Sequence, residues 1–269
     1  MELILANAPG SQVYLGSRDL QLGNKAAGEI NQALEPADGL VIPVHLDVRS
    51  EPSVRAAEAL ISSQVGYLDL LCNNAGIFHE NPCAAKSLET LQINFDGAVL
   101  VTTVFLPIMR EGGNILFTSS GAGARILRSL SPDDRSALLS PALEETGLRF
   151  ELLRMVMDRE SNSEHPYQST TSFAYGISKL GVNLYTQMLA RLHPALFINA
   201  ATPGLTNTNM CASYSGTRVL KEASLGASVF EKILFSGLGR GCSGIFFKEA
   251  STPGTPIELA TSIVVPWEQ

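Results

Sequence analysis

Tyr175 and Lys179 stand four residues apart in a run that reads as one helix over residues 172–192. Residues at that spacing stack on one face of a helix. An ammonium beside a phenol stabilises the phenolate and draws its pKa below the free value of about 10. A phenol tuned in that way can exchange a proton near neutral pH. Such a pair is common on helices, so its meaning depends on its surroundings. Four further features surround it: Asn73-Asn74-Ala75-Gly76, Asn94, Ser119-Ser120-Gly121-Ala122-Gly123 and Thr202-Pro203-Gly204.

These features sit where elements end. Residues 68–72, 114–118 and 197–201 are apolar runs of strand length, and each runs directly into a small polar cluster. In an open parallel sheet, ligands lie at the carboxyl ends of the strands. Further strands are predicted over residues 12–17, 40–46 and 244–248, with Pro43 suited to an edge. Helices are predicted over residues 22–34, 50–65, 87–109, 172–192 and 224–234. Ser50 is a candidate N-cap, Asn94 lies inside the third helix, and a bend or end falls near Pro107. The alternation predicts an α/β fold: a Rossmann-like, doubly wound parallel sheet in a single domain over residues 1–269.

The set Asn-Asn-Ala-Gly, Asn94, Ser-Ser-x-x-Gly, Tyr175-x-x-x-Lys179 and Pro203-Gly204, in this order, resembles the short-chain dehydrogenases/reductases. The long segment between Ser120 and Tyr175 resembles their carbonyl-reductase-like branch. The resemblance spans residues 12–248 and implies reduction of a ketone or aldehyde. Tyr175 would be the proton donor, Ser120 would hold the carbonyl oxygen, Lys179 would bind ribose and tune Tyr175, and Asn94 would complete a proton path. Ser119, the neighbour of Ser120, would point to the other face. For the cofactor, the resemblance implies NADPH. Arg18, with Ser17, would meet the 2′-phosphate. Asp47 would meet the adenine, and Asn74, Ala75 and Gly76 the adenosine ribose. Pro203, Gly204, Thr206 and Thr208 would flank the nicotinamide and phosphates, beside Tyr175 and Lys179. Asn207-Thr208-Asn209-Met210 departs from the family pattern there.

One expected part is missing. A dinucleotide fold opens with a strand, a glycine-rich turn and a helix. No such motif precedes Gln12, and residues 2–7 read as the last turn of a helix ending before Pro9-Gly10. The first strand is central in the order 3-2-1-4-5-6, so its loss predicts a gap between the second and fourth strands. Buried strand groups left unpaired there would cost about 1–3 kcal/mol each. Pyrophosphate would also lose its helix N-terminus. The alternative reading is therefore a truncated or cofactor-impaired relative with a non-redox, ligand-binding or partner-binding role.

Composition narrows the remainder. The 269 residues are 45% hydrophobic and 17% charged, which allows a large core. A net charge of −7 argues against a nucleic-acid partner. Cys72, Cys83, Cys211 and Cys242 form no Cys-x-x-Cys, so they read as reduced, mostly buried thiols, and no metal is expected. The richest apolar run, residues 98–109, is too short to cross a bilayer. With no secretory start, a cytoplasmic protein without a membrane partner is expected. Residues 125–170 read as an insert with helices starting near Ser131-Pro132 and over residues 148–159. The second carries Leu148, Leu152, Leu153 and Val156 on one stripe. In the resembled branch such an insert covers the tetramer face, which implies a monomer acting on a small-molecule carbonyl. The glycine run at 237–241 reads as a loop or helix cap, and residues 249–269 as a tail.

Overall fold

The computed structural model describes residues 1–35, 38–80, 82–162, 172–212, 214, 217, 219–236 and 242–248. The glycine run at 237–241, the end of the insert at 163–171 and the tail at 249–269 lie outside these. Among the described residues, β1 (Ser11–Ser17) pairs in parallel with β2 (Gly39–His45) as one sheet. A second parallel sheet holds β3 (Leu68–Asn73), β4 (Met109–Thr118), β5 (Phe197–Thr202) and β6 (Phe246–Lys248), in that spatial order. Pro43 on β2 sits opposite Leu15, on a strand with one neighbour.

The predicted gap is present, because no ladder joins β1 to β3. Residues 12–16 and 68–73 line one cavity of about 3260 Å³. A sheet face would offer alternate residues, whereas here successive residues line the space, as two facing edges would. The predicted burial penalty is softened. β1 contains no buried residue and β3 only Leu71, while five of the six residues of β5 are buried. The open edges are reached by solvent, so water can take the hydrogen bonds that a strand would have made.

The connections follow their local chemistry. Ahead of β1, α1 (Glu2–Asn7) buries Leu5 against Ala27 and Val41, a small core shared with α2 (Leu20–Gln32). Asp19 caps α2 by accepting from the amides of Gln21 and Leu22. Ser50 caps α3 (Glu51–Val65), which stops at Gly66 in the left-handed region. On the main sheet, Ile115, Phe117, Ile198 and Ala200 face the large core with α9 (Phe173–Leu192). Leu116 and Ala201, between them in sequence, face the opposite core under α10 (Ala223–Phe235).

Several expectations need correction. The third predicted helix begins earlier, as α4 (Ala84–Leu91), passes through a π turn at Gln92–Asp96 and continues as α5 (Gly97–Phe105). It ends in a 3-10 turn at Leu106–Ile108, where Pro107 lacks an amide proton to extend the ladder. Counted together, Ala84–Ile108 is long and apolar enough to cross a membrane, contrary to the reading of its richest part. Half of it is buried in the fold, however, as in a core helix. The cysteines are all free, but Cys72 and Cys83 are exposed rather than buried. Cys72 lies on the open edge of β3 and lines the cavity.

The described part of the insert holds three helices instead of two. α6 (Gly121–Ser129) follows Ser120 directly, ahead of α7 (Pro132–Leu138) and α8 (Glu145–Ser161). α8 buries Leu148, Leu152, Met155 and Val156, with Leu153 at the margin. Its stripe is covered by α9 and α4.

Candidate active site

Ser120 leaves β4 with extended backbone and caps α6, its hydroxyl accepting from the amide of Ala122 at 3.2 Å. The same side chain lies close enough to the hydroxyl of Tyr175 to lower its pKa. Ser119 turns the other way and is buried, its hydroxyl donating to Asn183 Oδ1 at 2.7 Å. Strand alternation thus separates a structural serine from one that faces the cavity.

Tyr175 lies in the first turn of α9, and Lys179 one turn on. The ring of Tyr175 meets Phe78 edge-on, with centroids 5.3 Å apart and planes at 88°. Lys179 is 4% exposed, and its Nζ donates to the Thr118 carbonyl at 2.8 Å. That Nζ lies 5.7 Å from the Tyr175 ring centroid. Here the electrostatics differ from the expectation that the ammonium lowers the phenol. Burial raises the Tyr175 pKa, and the Ser120 side chain and the Arg125 charge only partly offset it. Burial likewise draws Lys179 down to about 8. Withdrawal from water outweighs their pairing, and Lys179 spends a hydrogen bond on the backbone of Thr118.

Asn94 falls inside the π turn, where one extra residue per turn re-aims a side chain. It is 1% exposed. Its Oδ1 accepts from the Ile77 amide at 2.7 Å, and its Nδ2 donates to the Ile77 carbonyl at 2.9 Å and to Ser178 Oγ at 3.1 Å. The side chain therefore pins the turn after Gly76 to α9. A Cβ on Gly76 would meet Asn94 Oδ1 at 3.2 Å and Lys179 Nζ at 3.6 Å.

The strand-end residues divide between two places. Asn74, Ala75, Gly76, Ser120, Tyr175, Lys179, Pro203, Gly204, Thr206 and Thr208 all line the one large cavity. Asn74 Oδ1 accepts from the Thr118 hydroxyl at 2.9 Å. Gly204 has φ +77°, and a Cβ there would meet Lys221 Nζ at 3.2 Å. Ser17, Arg18 and Asp47 stand apart, on the smaller sheet. The Ser17 hydroxyl donates to the Asp19 carbonyl at 2.6 Å, so it is already engaged. Asp47 is held below the usual carboxylate range by the Arg49 amide, then by the charges of Arg49 and Arg18. Arg18 is exposed and, among the described residues, makes no ion pair.

Could these residues hold NADP? Two ends fit it. Gly76 and Gly204 line the large cavity beside Tyr175 and Lys179, where a nicotinamide and its ribose would lie. Arg18 offers an unpaired cation at the end of β1. The middle fits less well: among the described residues no glycine-rich turn leads from a strand into a helix at the gap. Sequence reasoning missed Phe78, Arg125 and Lys221. Lys221 reaches the site through a bridge between Thr206 and its own backbone, a tertiary contact with no spacing signal. Arg125 was assigned to the start of the insert, although it lies one helical turn after Gly121.

The family model for short chain dehydrogenase matches residues 5–131. Carbonyl reductase [NADPH] 3 of Rattus norvegicus is 31% identical over 223 residues, covering 79% of this chain and 78% of the relative. Carbonyl reductase [NADPH] 1 of Homo sapiens is 29% identical over 226 residues, covering 80% and 78%. Among solved structures, salutaridine reductase from Papaver somniferum superposes with a TM-score of 0.74 at 23% identity, covering 91% of this chain and 93% of the other. The order of strands, the meeting of Ser120, Tyr175 and Lys179 on one cavity and these similarities agree: the chain belongs to the short-chain dehydrogenase/reductase family, as a carbonyl-reductase-like oxidoreductase acting on carbonyl or alcohol groups.

Proposed function

We propose that this protein reduces a small ketone or aldehyde to an alcohol with NADPH. The observation that carries this reading is the convergence of Ser120 and Tyr175 on one cavity at the carboxyl end of β4, with Lys179 buried behind them. Bound NADPH would supply a hydride to the carbonyl carbon. Ser120 donates a hydrogen bond to the carbonyl oxygen, where negative charge develops. Tyr175 delivers the proton to that oxygen, and its raised pKa keeps it protonated and ready to donate. Lys179, at about 8, can pass a proton at physiological pH, and its Nζ faces the ribose position over Gly76. Asn94 fixes the backbone that shapes this path. Arg18 and Asp47 would hold the adenosine end, with Ser17 supporting the turn. The similarity to the NADPH carbonyl reductases 3 and 1 supports NADPH as the cofactor.

A fluorescence titration of NADPH, read together with a thermal melt, tests the proposal. Micromolar binding with turnover of an aldehyde is expected. No binding at millimolar NADPH, alongside a cooperative melt, would favour the second reading, a non-redox binding role. The gap between β1 and β3 is the observation that speaks for that alternative. We further propose a monomer in the cytoplasm, without nucleic-acid or membrane partners. The support is α8 lying over α9 and α4, together with four free thiols suited to a reducing compartment. Light scattering giving twice the chain mass or more would overturn the monomer.

A further inference from the structure

Resting on the reductase reading, we infer that the carbonyl substrate of this site carries a carboxylate, and that Arg125 and Arg128 receive it. Both arginines lie on α6, three residues apart and therefore on neighbouring parts of one helix surface. Both are exposed, and both line the cavity that holds Ser120 and Tyr175. Arg125 is close enough to Tyr175 for its charge to act on the phenol. A Cβ on Gly121, the residue after the catalytic serine, would meet Arg125 Nη1 at 3.7 Å.

The partner pattern is selective. Arg49, Arg55, Arg110, Arg149, Arg154 and Arg159 are all ion-paired. Arg135 instead donates to the carbonyls of Arg128 and Leu130. Among the described residues, Arg125 and Arg128 have neither kind of partner. Of the four acids lining the cavity, Asp69 is engaged by Arg110 and Glu231 by the Asn7 amide, while Glu80 and Glu222 stand on other parts of the chain than α6. A chain of net charge −7 thus keeps two free guanidiniums beside its reaction centre. A guanidinium offers a planar fork of donors that matches a carboxylate. Such a pair would hold an oxo acid by its anionic end while the carbonyl meets Ser120 and Tyr175.

The test compares 4-carboxybenzaldehyde with its uncharged methyl ester, using kcat/KM for each. The acid should be preferred, and Arg125→Met, or Arg125→Met with Arg128→Met, should cut the acid-to-ester ratio about tenfold or more. Arg125→Lys should restore part of it. An unchanged ratio in the double variant would overturn the inference. So would an equal loss of NADPH affinity, which would assign these cations to the cofactor. A binding measurement keeps the inference separable from turnover. Terephthalate should raise the melting temperature of the wild type and not of the double variant, even if the chain proves inactive. Identical shifts in both would refute the anion site while leaving the reductase reading intact.

Discussion

Tyr175 and Lys179 show how burial overrides a pairing that spacing suggests. Their stacking was legible from four-residue separation, and Ser120 from its motif. The direction of the Tyr175 shift was not, because it depends on how much water the fold excludes from the phenol. With Tyr175 as proton donor, Tyr175→Phe should reduce kcat at least a thousandfold while the NADPH dissociation constant changes less than about threefold. Measurable turnover near the wild-type rate would remove the donor role. Arg18→Ala should weaken NADPH more than NADH, and competitive titrations of the two would expose equal losses. Lys179 makes a further prediction. Its folded pKa, about 8, lies below that of the unfolded chain, so between the two the unfolded state holds more protons. Stability should therefore rise with pH from about 8. The window to compare is pH 8 to 9, just above the folded value of Lys179. The rise should be on the order of 1 kcal/mol across that unit. Urea melts at both pH values should show it in the wild type and lose it in Lys179→Met.

Elements placed the site more faithfully than single contacts could be foreseen. The strands over β1, β2, β3 and β5 were legible because apolar runs ended in small polar residues. The π turn at Asn94 was read only as part of a helix, since nothing in Gln92-Ile93-Asn94-Phe95-Asp96 distinguishes five-residue from four-residue bonding. α6 escaped notice because its glycines weaken any helix signal. The structure shows why they are there. A Cβ on Gly123 would meet the backbone of Leu180 at 2.6 Å, and one on Gly176 would meet Ile126 at 2.5 Å. α6 and α9 thus touch backbone to backbone, which brings Ser120 to Tyr175. Gly123→Ala should destabilise the fold by about 1–3 kcal/mol, because backbone gives way less readily than side chains. It should also lower kcat by moving the serine. Chemical denaturation together with steady-state rates would check both; an unchanged pair would contradict the close packing.

At the scale of the whole molecule, the sheet is divided. The absence of a strand between β1 and β3 was legible from sequence order, yet the wetting of both edges was not, because it follows from helices that leave the cavity open. Backbone amides of β1 should exchange with deuterium at least a hundredfold faster than those of β5, which lies between two strands and has five buried residues. Comparable protection in both would mean that the edges are closed in solution. The division also separates the proposed cofactor contacts. Arg18 and Asp47 follow β1 and β2, whereas Tyr175, Lys179 and Gly204 belong to the main sheet's side, although Val44 of β2 and the buried face of α3 share the large core. A ligand touching both would act as a clasp across the gap, coupling its own affinity to the stability of the whole fold. Calorimetry of the free chain should then trace one heat-absorption peak, and saturating dinucleotide should move it to higher temperature.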